Sequence, residues 1–576
     1  MKPKIVRMLA LLLLVTMVLS AVGCKSGTSK GKKEASKPTV SSAPEDSSGT
    51  GDNNADTDSN GDNSDTEGNN MDINDSNTNN WPSPDFTDMV SNYTISGTPM
   101  AFITSSPSVA FQRVDGSKLK MYDTDKLDRN SGTVIDIVPD NTRQEIIGFG
   151  ASITESAAYS LYQIPKAERD KVMERLFDSE KGIGLSFLRN TIGASDFALT
   201  GDLFDLNDTN AQGLPVGPYT YDDIPEGQED WKLEHFSIGR DKTMVIPLLK
   251  QALALNPEAT VMATPWTAPP WMKTEYTHYG YVTVDGEQRK AYLREDCYQV
   301  YADYFVKYIK AMEKEGIPIW AITPQNEPGT AIHYPSMPMP LEQQIAFVRD
   351  YLSPTFRKNG LNTKILGLDN NWHTYADALT LLFNATDAFD GIAFHGYSSN
   401  GRVQSNIYSA FPEKLMVLTE ESGMSRPFMS SALFHSSKIV SHLRNQGSGY
   451  ILWNLALSNK KGPLTYQPQS KCDPLITVNY VNADNTEEYK GYGYTGEYYA
   501  LAHYSKFIRP GARQVYSTDT AMLSNVACLN KDGTLACVLN NSTIKPITVK
   551  LVVGEKVVEY TVPANTIATL AWDANK

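Results

Sequence analysis

VYADYFVKYIKAMEKEGIPIWAITPQNEP, residues 300–328, contains a helix, a stop and a strand with a polar end. Tyr301, Tyr304, Phe305, Tyr308 and Ile309 recur at helical spacing, which predicts an amphipathic helix over Val300–Glu315. Gly316 ends it, because glycine takes the left-handed backbone of a helix terminus at little cost. Pro318–Gln325 is then a short apolar run, the pattern of a strand covered on both faces. It runs straight into Asn326-Glu327-Pro328, which puts two polar side chains at the strand's C-terminal end.

The same unit repeats on both sides of this stretch. Strands are predicted at Glu145–Ser152, Leu185–Ile192, Ala259–Thr267, Pro318–Gln325, Lys364–Asn371, Gly391–Tyr397, Lys414–Thr419 and Gly449–Leu455, with helical segments between them. Strands alternating with helices imply a parallel sheet, and eight such units imply an α/β chain built on a closed (β/α)8 TIM barrel over 141–485. An open doubly wound sheet is the alternative, but Gly148-Phe149-Gly150 lacks the third glycine of a phosphate-binding loop. Beyond about 490 the pattern changes. Ala521–Leu529, Thr534–Asn540, Ile547–Val553 and Lys556–Val562 read as successive antiparallel strands. Ser108–Pro139 is also strand-like. The expectation is a small all-β sandwich formed by 486–576 together with N-terminal strands from 86–140.

The first 85 residues read as an address and a tether. Lys2, Lys4 and Arg7 precede an apolar run from Met8 to Val22, the layout of a secretory signal over 1–23. Leu19-Ser20-Ala21-Val22-Gly23-Cys24 resembles a bacterial lipobox, which implies lipid attachment at Cys24. Two acyl chains meet the usual requirement for stable anchoring. Residues 24–85 are Ser-, Gly-, Asn- and Asp-rich and hold too little apolar surface to offset their ordering entropy. The expected location is the extracellular face of the bacterial membrane, lipid-anchored or secreted. The net charge of −14 lacks the basic footprint that nucleic acid requires. Much of it belongs to the tether, because Glu45–Asp75 holds ten acids and no Lys or Arg.

Chemistry in such a barrel sits at the C-terminal strand ends. Those ends carry Glu155, Arg189 with Asn190 and Asp196, Trp266, Asn326-Glu327, Asp369-Asn370, His395 with Tyr397, Glu420-Glu421 and Trp453-Asn454. Carboxylates ending the fourth and seventh strands face each other across the mouth. Glycoside hydrolysis needs one carboxyl to protonate the leaving oxygen and a second facing the anomeric carbon. Aromatic rings give a sugar flat apolar faces, and Asn, His, Asp and Arg pair with its hydroxyls. The His and Cys spacing is not that of a zinc site, so no metal or cofactor is expected.

These motifs together resemble glycoside hydrolase family 30, the glucosylceramidase-like enzymes of the clan A retaining β-glycosidases. Thr323-Pro324-Gln325-Asn326-Glu327-Pro328 carries the clan's Asn-Glu pair. Gly148-Phe149-Gly150-Ala151 with Thr154, Ala194-Ser195-Asp196-Phe197, Pro265-Trp266-Thr267-Ala268-Pro269 with Trp271 and Lys273, His395 with Tyr397, and Trp453-Asn454-Leu455-Ala456-Leu457 resemble further blocks. Ser505-Lys506-Phe507-Ile508 is similar to the opening of the family's β-domain. The resemblance implies Glu327 as acid/base and Glu420, after the small Thr419, as nucleophile, with Glu421 turned away. It implies sugar contacts from Glu155, Trp266, Asn326, His395, Tyr397, Trp453, Arg189 and Asp196, and the nearby positive charge of Arg189 is expected to keep Glu420 ionised. One position departs: Glu155 stands where the family usually has an Asp that grips sugar hydroxyls.

The implied reaction is two-step hydrolysis of β-glucosidic bonds, in glucosylceramide-like glycosides or a β-glucan such as β-1,6-glucan. A β-xylosidase or xylanase of the same family is the alternative within the enzymes, and a non-catalytic sugar-binding lipoprotein is the alternative outside them. The partners expected are a carbohydrate and, through Cys24, a membrane; no obligate protein partner is evident. Cys528 and Cys537 flank Lys531-Asp532-Gly533. A two-residue loop there would set them opposite each other, within disulfide reach; a three-residue loop would put them on opposite faces.

Overall fold

The computed structural model describes residues 94–199, 217–463, 470–482 and 487–575. The expected signal, Cys24 and the tether lie outside the described residues. Among the described residues no helix is long and apolar enough to cross a membrane.

All eight predicted strands form one closed barrel. They are β1 (Gly148–Ile153), β2 (Phe187–Thr191), β3 (Thr260–Thr264), β4 (Ile319–Ile322), β5 (Lys364–Asn371), β6 (Gly391–His395), β7 (Leu415–Glu420) and β8 (Gly449–Leu452). The barrel closes by pairing β8 with β1, where Ile451 faces Gly150. Phe187, Met262, Ala321, Leu366, Ala393, Val417 and Ile451 point inward and plug the interior. Each large apolar side chain buried there contributes roughly 1.5–3 kcal/mol, so the barrel is a packed core with chemistry only at its rim.

The helix of the opening stretch spans Tyr298–Lys314 and buries Tyr301, Tyr304, Phe305, Tyr308 and Ile309. Gly316 ends it at φ +82, and the Ile317 N–H returns to the Met312 carbonyl at 2.9 Å. That is the helix stop the glycine predicts.

The boundary expected at 486 falls too early. After β8 the chain inserts a three-stranded sheet, Ala456–Ser458, Ile476–Val481 and Glu487–Tyr494, before the helix Gly496–Ser505. This helix belongs to the barrel: Tyr504 packs its ring 5.7 Å from Phe149 of β1. The inserted strands hide the last strand-helix alternation, which is why the sequence pattern misplaces the boundary.

The second layer is a ten-stranded sheet drawn from both chain ends. Thr94–Thr104 pairs with Thr566–Asn575, setting Ala101 against Leu570. Thr133–Glu145 lies between Arg513–Ser517 and Ile547–Val553. Its inner face is a separate apolar core that includes Ile135, Leu539, Leu551 and Leu570. The hairpin at Lys531-Asp532-Gly533 has three loop residues, with Gly533 at φ +86 and the Asn530 N–H on the Thr534 carbonyl. Cys528 pairs with Ala536 and Cys537 with Ala527. The two thiols therefore face opposite sides of the sheet, one in the barrel-side core and one in the sandwich core, and both are free.

Candidate active site

Two irregular strands build the floor of the barrel mouth. In β5, Asp369 is skipped by the pairing, since Leu368 faces Ala393 and Asn370 faces Phe394. In β7, Thr419 is skipped in the same way, since Phe394 faces Leu418 and His395 faces Glu420. A bulge re-aims side chains that strict alternation would send to the wrong face. Here it brings the two extra residues together: the Thr419 hydroxyl donates to Asp369 Oδ1 at 2.6 Å. Glu327, Leu368, Asp369 and Asn454 all have positive φ, from +42 to +74. Non-glycine residues in that region cost of order 1–3 kcal/mol each and cluster at functional sites.

Asp369 is fully buried and gathers four donors. Arg189 Nη2 lies at 3.0 Å, Thr323 Oγ1 at 2.7 Å, Thr419 Oγ1 at 2.6 Å and His395 Nε2 at 3.3 Å. Burial opposes its charge, but the Arg189 guanidinium, His395 and these bonds hold its carboxyl well below the usual range. Arg189, also fully buried, spreads its fork over three groups. Nη1 donates to Glu420 Oε2 at 2.5 Å, and Nη2 donates to Asn326 Oδ1 at 2.8 Å as well as to Asp369. Its Cζ stands 4.8 Å from the Trp266 ring centre and 5.5 Å from that of Trp453.

Glu420 is therefore fixed from two sides, because the Tyr397 hydroxyl donates to its Oε1 at 3.0 Å. Glu327 holds its place through its backbone, whose N–H donates to the Asp369 carbonyl at 3.0 Å. His395 links the two acids. Its Nδ1 lies 3.2 Å from Glu327 Oε1 and 3.8 Å from Glu420 Oε1, while Nε2 faces Asp369. Burial disfavours its charge, yet Glu420, Asp369 and Glu327 prevail and raise its pKa to about 10. One donor atom from each of Glu327, His395 and Glu420 falls within 4.8 Å of the others. A cation at that point would meet a protonated imidazole and the buried Arg189, so the set suits a sugar between two carboxyls better than an ion.

Trp266 and Trp453 stack at 5.0 Å and 17°, and Phe197 meets Trp453 edge-on at 5.9 Å. Tyr334, from the loop after β4, packs on this cluster. Burial, then the charges of Glu420 and Glu327, push the Asp196 carboxyl well above the usual range. This favours its neutral form, which can donate a hydrogen bond as well as accept one.

The structure thus gathers Arg189, Asp196, Trp266, Asn326, Glu327, His395, Tyr397, Glu420 and Trp453 around one mouth. Glu155 departs from the expectation that it grips sugar. Both its oxygens are engaged by Arg240, at 2.6 and 2.8 Å, and Oε2 also accepts the Leu199 N–H at 2.8 Å. The extra methylene reaches a cation 85 residues away in sequence, so the carboxylate clamps the loop after β2. Glu421 turns away from the mouth to Lys438. Sequence reasoning placed Asp369 at a strand end of the mouth but gave it no role, and it left Arg240 and Tyr334 out of the site; nothing in the sequence marks these two.

Comparison with known proteins agrees with this geometry. Residues 146–508 match the glycosyl hydrolase family 30 TIM-barrel domain and residues 511–570 match the family's β-sandwich domain. The chain is 30% identical over 428 residues to an endo-1,6-beta-D-glucanase of Trichoderma harzianum, covering 71% of this chain and 80% of that protein. It is 26% identical over 437 residues to the lysosomal acid glucosylceramidase of Mus musculus, covering 72% and 78%. The solved endo-beta1,6-glucanase BT3312 superposes with a TM-score of 0.68 at 29% identity, over 83% of this chain and all of that one. With barrel, sandwich and paired carboxyls in place, the chain belongs to glycoside hydrolase family 30.

Proposed function

We propose that this glycoside hydrolase cleaves β-1,6-linked glucan with retention, using Glu420 as nucleophile and Glu327 as acid/base. The observation that carries the reading is the carboxyl pair itself. One oxygen of Glu327 and one of Glu420 lie within 4.8 Å of each other, a close approach that supports the retaining arrangement, in which the carboxyl groups stand about 5–5.5 Å apart. The surroundings of the two acids divide the roles. Arg189 and Tyr397 hold Glu420 as an aimed carboxylate. Glu327 is the more exposed of the two, with a fifth of its side chain open to solvent, as a group that passes protons to and from substrate and water must be.

In the first step Glu420 Oε attacks the anomeric carbon as the glycosidic bond breaks, and Glu327 gives its proton to the departing oxygen. In the second, Glu327 takes a proton from water, which displaces Glu420 and frees the sugar. The glucan preference is supported by two similar proteins that carry that activity in their names. Export and anchoring through Cys24 belong to the same reading, because a polymer too large to import must be met outside the cell. Their support is the N-terminal sequence alone. Labelled palmitate should be incorporated into the wild type and lost in Cys24→Ala.

Aryl β-glucoside, aryl β-xyloside, β-1,6-glucan and xylan, assayed side by side, test the substrate. The expected order places β-1,6-glucan first in kcat/KM and both xylose substrates last. Faster turnover of xylan would replace this reading with the xylanase one.

A further inference from the structure

Glu421 follows the proposed nucleophile directly, is 1% exposed on its side chain, and takes no part in the site. A lone charge so placed would be strongly destabilising, and the fold provides for it specifically. Lys438, buried on the helix Phe428–Arg444 that follows β7, donates to Glu421 Oε2 and to the Gly396 carbonyl. Gly396 is the junction between His395 and Tyr397, the two residues that contact Glu420 from β6. A Cβ on Gly396 would sit 2.3 Å from Glu421 Oε2, so only glycine lets the carboxylate lie against this turn. Backbone bonds complete the knot. The Gly396 N–H donates to the Glu420 carbonyl at 2.9 Å and the Trp453 N–H to the Glu421 carbonyl at 2.7 Å.

We propose that Lys438 is a positioning residue for the nucleophile. Through Glu421 and the Gly396 carbonyl it locks the ends of β6 and β7 together, so that His395 and Tyr397 stay aimed at Glu420. The proposal rests on Glu420 being the nucleophile. Any buried ammonium needs partners for its remaining N–H groups; what points to positioning is where this one falls, on the carbonyl between two active-site residues.

The test compares wild type, Lys438→Met and the double variant Lys438→Met/Glu421→Leu. The double variant removes both charges, and such replacements are often neutral or stabilising. Each protein is treated with 2-deoxy-2-fluoro-β-glucosyl fluoride, whose fluoride is displaced by the nucleophile, and the labelled peptide is identified by mass spectrometry. Turnover of an aryl β-glucoside and Tm are measured alongside. The expected result is label on Glu420 in every protein. Labelling rate and kcat should fall about 10- to 100-fold in both variants, the loss typical of a slightly misaimed group, with KM little changed. The Tm of the double variant should recover while its kcat does not. If kcat and labelling rate return to wild-type values along with Tm, the pair is structural only and the proposal is overturned. If the single variant does not fold, the double variant alone decides by the same criterion. Label on a residue other than Glu420 would refute the nucleophile assignment, and this proposal with it.

Discussion

Replacing Asp369 by Asn should disable the site without touching either proposed catalytic carboxyl. The side chain keeps its size but loses its charge. One of its two acceptor positions becomes an amide N–H facing donors: Arg189 and Thr323 on Oδ2, or His395 and Thr419 on Oδ1. The threonine hydroxyls can rotate to accept instead, but the two cations cannot. Breaking a buried charge pair from one side costs about 3–5 kcal/mol. At about 2–4 °C per kcal/mol for a large domain, Tm should fall by roughly 10 °C. His395 loses one of the carboxylates that hold its pKa near 10, so its pKa should drop toward 6.5. The sign of the pH effect follows. A histidine raised on folding stabilises fully below its unfolded value, and this contribution is lost as pH rises through the folded value. The gap between 6.5 and about 10 sets an upper bound of about 5 kcal/mol. Calorimetric Tm measured from pH 6 to 10.5 should therefore decline in the wild type from about pH 6.5 to about pH 10, and in Asp369→Asn this decline should be smaller and level off at lower pH. Turnover should drop about 100-fold, because Arg189 and His395 both aim groups that react. An Asp369→Asn enzyme with wild-type Tm, the same alkaline limb and full turnover would refute this account of the buried network.

Other outcomes follow from the same structure. Arg240→Met should free the Glu155 carboxylate and loosen the loop after β2; KM for every substrate should rise several-fold and Tm fall by a few degrees, and unchanged kinetics would show that the clamp is idle. Removing residues 25–80 should leave kcat unaltered on soluble substrates, because those residues lack the apolar surface for a packed structure. Shortening the hairpin Tyr281–Val284/Glu287–Lys290 should raise KM for polymer more than for an aryl glycoside, and equal effects on both would place it outside the substrate path.

Much of this architecture is written locally in the sequence. Parallel barrel strands are covered on both faces, so each appears as a continuous apolar run that stops at a polar end, and all eight are legible on that ground. The helix at Tyr298–Lys314 is legible because one apolar stripe and one glycine stop suffice to define it. The features that escape depend on contacts distant in sequence or on broken alternation. Asp369 enters the site through a bulge, which period-two reasoning does not anticipate. Glu155 looks like a sugar ligand until Arg240 is brought beside it by the long segment after β2. The helix Gly496–Ser505 is hidden behind inserted strands, although it completes the barrel. The cysteine pair is an intermediate case, since one loop residue decides between facing and opposed thiols, and Gly533 settles it at three.

The assignment of Glu327 and Glu420 is tested most directly by the product of Glu327→Ala acting on an activated aryl β-glucoside in azide. The aryl group departs without a proton, Glu420 still forms the glycosyl-enzyme, and azide enters the space vacated by Glu327 to attack it. The account predicts restored turnover and a β-glucosyl azide, identified by NMR. An α-glucosyl azide, or an inverted sugar released first by the wild type, would contradict it.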